Sequence, residues 1–248
     1  MAWRCSGSSN AMLIQNMRSH GIFHSDKVMA VSIVNIAEVF LRILTLIRLW
    51  ELWIEQIMSF TKSMLTRIRL SMSIGHSATI SAPHMHAYAS EHLLPYLKPG
   101  AKVLDVGSGS GYLAAVLYRL VSPGGKVVGI EHIPELVTWS EANLRKDGLG
   151  DALDNGEIEM IAGDGREGYA AGGPYDAIHV GAAAPTVPEK LIAQLASPGR
   201  MFIPVGNLMQ NIEQIDKDEQ GNITSKQIMG VRYVPLTDKE KQLGRWVN

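Results

Sequence analysis

The stretch AKVLDVGSGSGYLAAVLYRL, residues 101–120, decides the fold. Its first six residues form a short apolar run. Glycine and serine then alternate from Gly107 to Gly111, and a helical pattern follows from Tyr112 to Leu120. This order predicts a strand, a glycine-rich turn and a helix. Units of this kind build a parallel sheet with helices on its faces, whose ligands bind at the carboxyl ends of the strands.

The rest of the C-terminal half repeats this alternation. Further strands are predicted at residues 126–131, 157–162, 175–180 and 200–205, and further helices at residues 134–146 and 187–195. Antiparallel strands are expected over residues 227–234. We therefore predict an α/β protein with a doubly wound, Rossmann-like sheet.

The composition excludes several classes of protein. The 248 residues are 46% hydrophobic, which is enough for a large core and excludes a disordered chain. The net charge of -1 argues against nucleic-acid binding, because phosphate contacts need a basic surface. The single cysteine, Cys5, excludes an intrachain disulfide and fits a reducing compartment. The N-terminus has no apolar signal-peptide core, so a cytosolic protein is expected.

The glycine-rich turn does not match the dinucleotide fingerprint. That fingerprint, G-x-G-x-x-G, requires a glycine where this chain has Tyr112. Asp105 lies two residues before the first glycine, where it would repel a pyrophosphate and attract a cation. S-adenosylmethionine carries a sulfonium and an ammonium group and no phosphate. Gly107 and Gly109 would let the backbone approach such a ligand closely, and Asp105 would complement its charge.

Two more acidic residues follow the next two strands. Glu131 ends the second strand, where it could accept hydrogen bonds from ribose hydroxyls. Asp164 follows the third strand, where it could accept one from an adenine amino group. Each acid alone could equally be a helix N-cap or belong to a solvated loop. Together, three acids at the ends of consecutive strands favour a fold that binds S-adenosylmethionine.

Five motifs carry a resemblance to a known family. They are ATISAPHMHA at 78–87, LDVGSGSG at 104–111, GDGREGY at 163–169, YDAIHVGAAAP at 175–185 and YVPLTDKEKQ at 233–242. The chain resembles the protein-L-isoaspartate (D-aspartate) O-methyltransferases over residues 1–27 and 73–246. The resemblance implies methyl transfer from S-adenosylmethionine to the free carboxylate of L-isoaspartyl and D-aspartyl residues. The implied partners are damaged proteins and peptides that contain isoaspartate.

The resemblance also implies roles for particular residues. Ser81 matches the family's catalytic serine, and Ser81 and His84 are the predicted substrate-binding residues. An isoaspartyl carboxylate has a pKa of about 4 and is already ionised at neutral pH, so Ser81 is expected to position it by a hydrogen bond. The predicted cofactor-binding residues are Ile80, Ala82, Pro83, His86, Asp105, Gly107, Gly109, Glu131, His132, Asp164, Gly165, Thr237 and Gln242.

The chain divides into three predicted segments: an N-terminal helical segment (1–30), an atypical amphipathic helical insert (31–72) and the methyltransferase domain (73–248). The run from residue 31 to residue 72 contains no glycine or proline, and residues such as Glu38, Arg42 and Glu51 interrupt its apolar sequence. These charges argue against a membrane span. A helix packed on the domain and a helix bound to a partner or a membrane surface both remain open.

Two hypotheses about the function follow from the sequence. The first is an active repair methyltransferase that works as a monomer, without nucleic acid and without membrane association. The second is a catalytically impaired S-adenosylmethionine-binding protein whose insert docks on a partner or a membrane, because the insert replaces a segment expected to close over the substrate. No metal site is expected, since His84 and His86 lack a third ligand nearby. His179 follows an apolar strand and is interpreted as a core or cleft histidine.

Overall fold

The computed structural model describes residues 72–244, and the helix predicted near the N-terminus and the 31–72 insert lie outside these residues or at their edge. The chain divides into two compact units. Of the described residues, Met72 and Ser81–Glu91 belong to the first unit, and Ser73–Ile80 with residues 92–244 belong to the second.

The strands and helices alternate along the described chain. The strands are β1 (Met72–Gly75), β2 (Ala78–Ile80), β3 (Lys102–Val106), β4 (Lys126–Glu131), β5 (Ile158–Ala162), β6 (Tyr175–Val180), β7 (Leu195–Val205), β8 (Gln210–Lys217) and β9 (Ile223–Val231). The α-helices are α1 (Pro83–Leu93), α2 (Tyr112–Val121), α3 (Pro134–Leu144), α4 (Gly150–Asp154), α5 (Glu189–Gln194) and α6 (Lys239–Gly244). Between residues 72 and 244, no helix is long and apolar enough to cross a membrane.

The large sheet has seven strands in the order β5-β4-β3-β6-β7-β8-β9. β3 pairs in parallel with β4 on one side and with β6 on the other, and β8 and β9 add antiparallel pairs at one edge. The chain first proceeds from β3 to β5 and then returns to the opposite side of β3. The gap between β3 and β6 is therefore the topological switch point, where doubly wound sheets bind ligands. The predicted fold class is confirmed.

The central parallel strands are buried along almost their whole length. Four of the five residues of β3 and five of the six residues of β4 are buried. Strands covered on both faces need continuous apolar runs, which explains why such runs in the sequence predicted them. The hydrophobic core cluster of the second unit consists of Leu104, Val106, Val128, Ile130, Tyr175, Ile178, Val180, Ala184, Leu191, Leu195, Met201, Ile203 and Ile215.

The antiparallel edge differs from the prediction. β7 begins at Leu195, so the helix expected over residues 187–195 is reduced to Glu189–Gln194. β8 was not predicted, because its two buried residues, Ile212 and Ile215, are three positions apart and break the strand period of two. The β8–β9 pairing shifts register between Ile212 and Glu213, and this irregularity places both isoleucines in the core. β9 also begins and ends earlier than the predicted 227–234.

Leu104→Ala is expected to lower the free energy of unfolding by about 2–5 kcal/mol, because it leaves a cavity in the centre of the sheet. Leu208→Ala is the matched control, since Leu208 is fully exposed between β7 and β8 and should change stability by less than about 0.5 kcal/mol. Denaturant unfolding of both variants measures the difference. Equal losses would show that the core is not organised around β3.

Candidate active site

A cleft lies at the carboxyl ends of β3, β4 and β6 in the second unit. It contains about 540 Å³ of empty space, part of it open to solvent. The described residues that line it are Ile74, Ala78, Thr79, Gly107, Gly109, Glu131, His132, Gly165, Gly181, Ala182, Val234, Pro235, Leu236, Thr237 and Gln242. The structure thus brings together seven of the residues predicted to bind the cofactor: Gly107, Gly109, Glu131, His132, Gly165, Thr237 and Gln242.

The glycine-rich turn after β3 forms one wall of the cleft. Gly107 and Gly109 have φ angles of 76° and 51°, in the left-handed region where a side chain is disfavoured. The amides of Gly107 and Ser108 both donate to the carbonyl oxygen of Ile130, at 2.8 and 3.2 Å. These bonds tie the turn to the end of β4. The turn therefore presents backbone, without side-chain bulk, to whatever the cleft binds.

Glu131 places a carboxylate inside this cleft. Its Oε2 accepts a hydrogen bond from the Gly109 amide at 3.2 Å, and its Oε1 accepts one from the Ile133 amide at 3.1 Å. The side chain is buried, and the two amides fix its orientation. A carboxylate can accept about four hydrogen bonds, so capacity remains for ligand hydroxyls. This geometry fits the predicted role of Glu131, whose contact with ribose stays a prediction.

Asp164 has a different environment from the one its sequence position suggested. Its carboxylate accepts two hydrogen bonds from the Nε of Arg166, at 2.9 and 3.0 Å, and its Oδ1 also accepts the Arg166 amide at 2.9 Å. The Arg166 guanidinium holds the pKa of Asp164 below its usual range. The neighbouring Gly165 lines the cleft, whereas Asp164 is not among the described lining residues. An adenine contact by Asp164 stays a prediction.

Asp105 is also absent from the described lining. It is 1% exposed, and its Oδ1 lies 2.7 Å from Nδ1 of His179, the residue opposite it on β6. His179 was predicted to be a core or cleft histidine; at 5% exposure it belongs to the core. Asp105 is thus only two residues from Gly107, which lines the cleft, but its own carboxylate is buried against His179. Its direct contact with a ligand stays a prediction.

The end of the described chain forms the opposite wall. The Oε1 of Gln242 in α6 lies 2.9 Å from Nε2 of His132, and its Nε2 donates to the carbonyl oxygen of His76 at 3.0 Å. One side chain therefore joins the end of β4 to the turn between β1 and β2. Val234, Pro235 and Leu236 complete this wall and were not predicted.

Some of the unpredicted lining residues carried a local signal and others did not. Gly181 and Ala182 follow β6 as Gly107 follows β3, so the rule that ligands bind at strand ends could have found them. Val234–Leu236 are placed at the cleft by an isolated β-bridge between Ala183 and Pro235, and no local sequence pattern predicts this bridge.

The remaining predicted residues lie around the start of α1. Ser81 and Ala82 connect β2 to this helix, which begins at Pro83, and the Ala82 carbonyl accepts the Met85 amide at 2.9 Å. Ala82 and His86 are buried, and Ser81 is half-buried. These residues belong to the first unit, so the predicted contacts of Ser81, Ala82, Pro83, His84 and His86 with ligand or substrate stay predictions. Ile80 ends β2 but is not among the described lining residues.

The charge of the cleft distinguishes between classes of ligand. Among the lining residues that the structure describes, Glu131 is the one carboxylate, and there is no lysine or arginine. Basic side chains hold many phosphate-bearing ligands, although a glycine-rich turn at a helix N-terminus can also hold a pyrophosphate. S-adenosylmethionine is a cation without phosphate, so the described residues fit it.

The fold and this cleft define a Rossmann-like α/β protein with the features of the S-adenosylmethionine-dependent methyltransferases. The chain matches the family model for protein-L-isoaspartate(D-aspartate) O-methyltransferase over residues 57–241. It belongs to that family. The match begins inside the 31–72 segment and includes every described lining residue of the cleft except Gln242, which follows its last residue.

Relatives and a solved structure agree with this assignment. Protein-L-isoaspartate O-methyltransferase 1 of Arabidopsis thaliana is 42% identical over 95% of this chain and 94% of its own length. The Caenorhabditis elegans protein-L-isoaspartate O-methyltransferase is 44% identical over 99% of this chain and 100% of its own. A Plasmodium falciparum chain assigned to the same enzyme was solved with S-adenosyl-L-homocysteine. It has a TM-score of 0.74 and 27% identity, and the match covers 93% of this chain and 99% of that one.

Gly165→Ala tests the wall after β5. A Cβ at this position would lie 2.6 Å from Cγ1 of the buried Val106, so the wall must move. We expect weaker binding of S-adenosylmethionine and a loss of about 1–3 kcal/mol in the free energy of unfolding from overpacking.

Gly150→Ala is the matched control for this variant. A Cβ there meets its nearest atom, in Arg145, at 3.6 Å, which is an ordinary contact. Calorimetric binding and denaturant unfolding measure both effects. If Gly165→Ala behaved like Gly150→Ala, the position of Gly165 against Val106 would be wrong.

Proposed function

We propose that this protein transfers a methyl group from S-adenosylmethionine to the free carboxylate of L-isoaspartyl and D-aspartyl residues in damaged proteins and peptides. The observation that carries the proposal is the family match over residues 57–241, which includes every described lining residue of the cleft except Gln242. The absence of lysine and arginine from the cleft's described lining supports the same donor.

The acceptor is already a nucleophile at neutral pH. Its carboxylate has a pKa of about 4, so no residue has to remove a proton from it. The donor supplies an electrophilic methyl group on a positively charged sulfur. A carboxylate oxygen forms the new bond to carbon as the bond between carbon and sulfur breaks, which gives a methyl ester. A backbone amide nitrogen then attacks the ester and displaces methanol to give a succinimide, and water reopens this ring in part as normal aspartate.

The protein therefore has to bind the donor and the acceptor, orient them towards each other and exclude water from the site. Glu131 holds the donor's ribose through acceptor oxygens that the Gly109 and Ile133 amides keep in place. Ser81 donates a hydrogen bond to the acceptor carboxylate and aligns it with the methyl group, and His84 contacts the substrate. Placement of two reactants in line lowers the barrier because the entropy of bringing them together has already been lost on binding.

The same proposal extends to the setting in which the protein works. We place it in the cytosol as a monomer, with isoaspartate-containing polypeptides as partners and no nucleic-acid or membrane partner. The single cysteine and the net charge of -1 support this setting. A cofactor cleft built within one compact unit supports a monomer, because its described lining needs no second copy.

A second candidate function rests on the 31–72 segment. The family model matches only from residue 57, so residues 31–56, the larger part of that segment, lie outside the match. If the segment does not close over the substrate, the protein would bind the donor and transfer no methyl group. It would then act through a helix that docks on a partner or a membrane.

Methyl transfer to paired peptides separates the two candidates. We expect the purified full chain to incorporate label from S-adenosylmethionine into a peptide with L-isoaspartate and not into its L-aspartyl counterpart. The counterpart is the control because the two peptides differ only in which carboxylate continues the chain. Donor binding without ester formation would favour the second candidate.

Ser81→Ala tests the proposed positioning of the acceptor. We expect kcat to fall by about 10- to 100-fold, because the carboxylate loses its alignment, while the dissociation constant for S-adenosylmethionine changes by less than about twofold. Ser73→Ala is the matched control: Ser73 is exposed in β1, and among the described residues its hydroxyl accepts only a long bond, from the Gly75 amide at 3.4 Å. Equal losses in turnover and donor affinity would contradict this role for Ser81.

A further inference from the structure

We infer that His179 is a positioning residue for the donor. It holds the buried Asp105 carboxylate so that the negative charge of this group acts on the cationic part of S-adenosylmethionine. The inference rests on the proposed function and goes beyond it, because it assigns a role to a buried pair that does not line the cleft.

The two residues meet at the switch point of the sheet. β3 and β6 are parallel neighbours, and Asp105 is paired in register with His179. Their side chains approach to 2.7 Å between Oδ1 and Nδ1. Both are almost completely buried, at 1% and 5% exposure. An ionised carboxylate can only accept a hydrogen bond, so we assign the proton to Nδ1 and the histidine as the donor.

One carboxylate oxygen of the Asp105–His179 pair has no hydrogen-bond partner among the described residues. Oδ2 of Asp105 is buried and accepts no hydrogen bond from any residue that the structure describes. A buried carboxylate with a single hydrogen bond is costly, because it has lost its water shell and recovered only part of it. A cation bound nearby would compensate for this cost.

The cleft lies next to the pair. Gly107 and Gly181 line it, and each follows its strand two residues after Asp105 and His179, respectively. The Gly181 amide donates to the Val106 carbonyl at 2.8 Å, and a Cβ on Gly181 would lie 3.5 Å from Cε1 of His179. The imidazole therefore lies directly behind the cleft surface at Gly181.

The charges give the pair a preference among ligands. With a neutral imidazole, the pair carries one net negative charge in a region of low dielectric, where charge interactions are strong. The donor carries a sulfonium and an ammonium, whereas 5′-methylthioadenosine has the same nucleoside and sulfur with neither charge. A charge-complementing pair favours the donor selectively. A pair that only braces β3 against β6 would affect the two ligands equally.

Calorimetric titration of the full chain with both ligands tests this inference. We expect His179→Leu to weaken S-adenosylmethionine binding about tenfold, because the carboxylate loses its orienting donor, and to change 5′-methylthioadenosine binding less than about twofold. His179→Asn should restore donor affinity to within about threefold of the unchanged protein, since its amide nitrogen takes the place of Nδ1. Asp105→Asn should lose donor affinity as His179→Leu does.

Each other outcome contradicts the inference. Unchanged donor affinity in His179→Leu would overturn it, and so would a parallel loss for both ligands, which is the behaviour of a structural brace. If His179→Leu does not fold, Asp105→Asn and His179→Asn decide: the inference fails unless the first loses the donor selectively and the second retains it. Failure of the unchanged protein to bind S-adenosylmethionine would instead refute the proposed function itself.

Discussion

The close approach of β3 and β6 at their carboxyl ends is the constraint on which the site depends. The Gly181 amide bonds to the Val106 carbonyl, and a side chain at residue 181 would crowd the carbonyls of Val106 and Gly107 at 3.3 and 3.2 Å. Glycine at this point lets the two strands end side by side while the chain leaves them in opposite directions. The glycine-rich turn, the end of β4 and the segment after β9 are all arranged around that opening.

Local patterns were sufficient for the parts of the protein that are built locally. The buried parallel strands could be predicted because burial on both faces requires a continuous apolar run. The turn after β3 and the carboxylate at the end of β4 could be predicted because each lies at the end of such a run. β8 could not, because its register irregularity hides the strand period. The wall formed by Val234–Leu236 could not either, since its place in the cleft depends on a bridge to residues about fifty positions earlier.

The acidic residues show where reasoning from strand ends reaches its limit. All three lie near the carboxyl edge as predicted, but their surroundings differ. Glu131 faces the cleft, Asp164 is bound by an arginine two residues further on, and Asp105 is buried against a histidine on the next strand. Sequence position sets which edge of a sheet a carboxylate occupies. The groups around it decide its surroundings, and these come from the same loop for Asp164 and from the next strand for Asp105.

The hydrogen bonds of Gln242 have a consequence for how the site comes into being during synthesis. One wall of the cleft uses residues 234–237 and Gln242, which follow every strand of the large sheet. A ribosome releases the N-terminal part of a domain first. The sheet and the glycine-rich turn can therefore form on the nascent chain while the cleft still lacks this wall. The cleft is complete only after residue 242 has emerged, so a product shortened after β9 would retain every strand of the sheet and lack this wall.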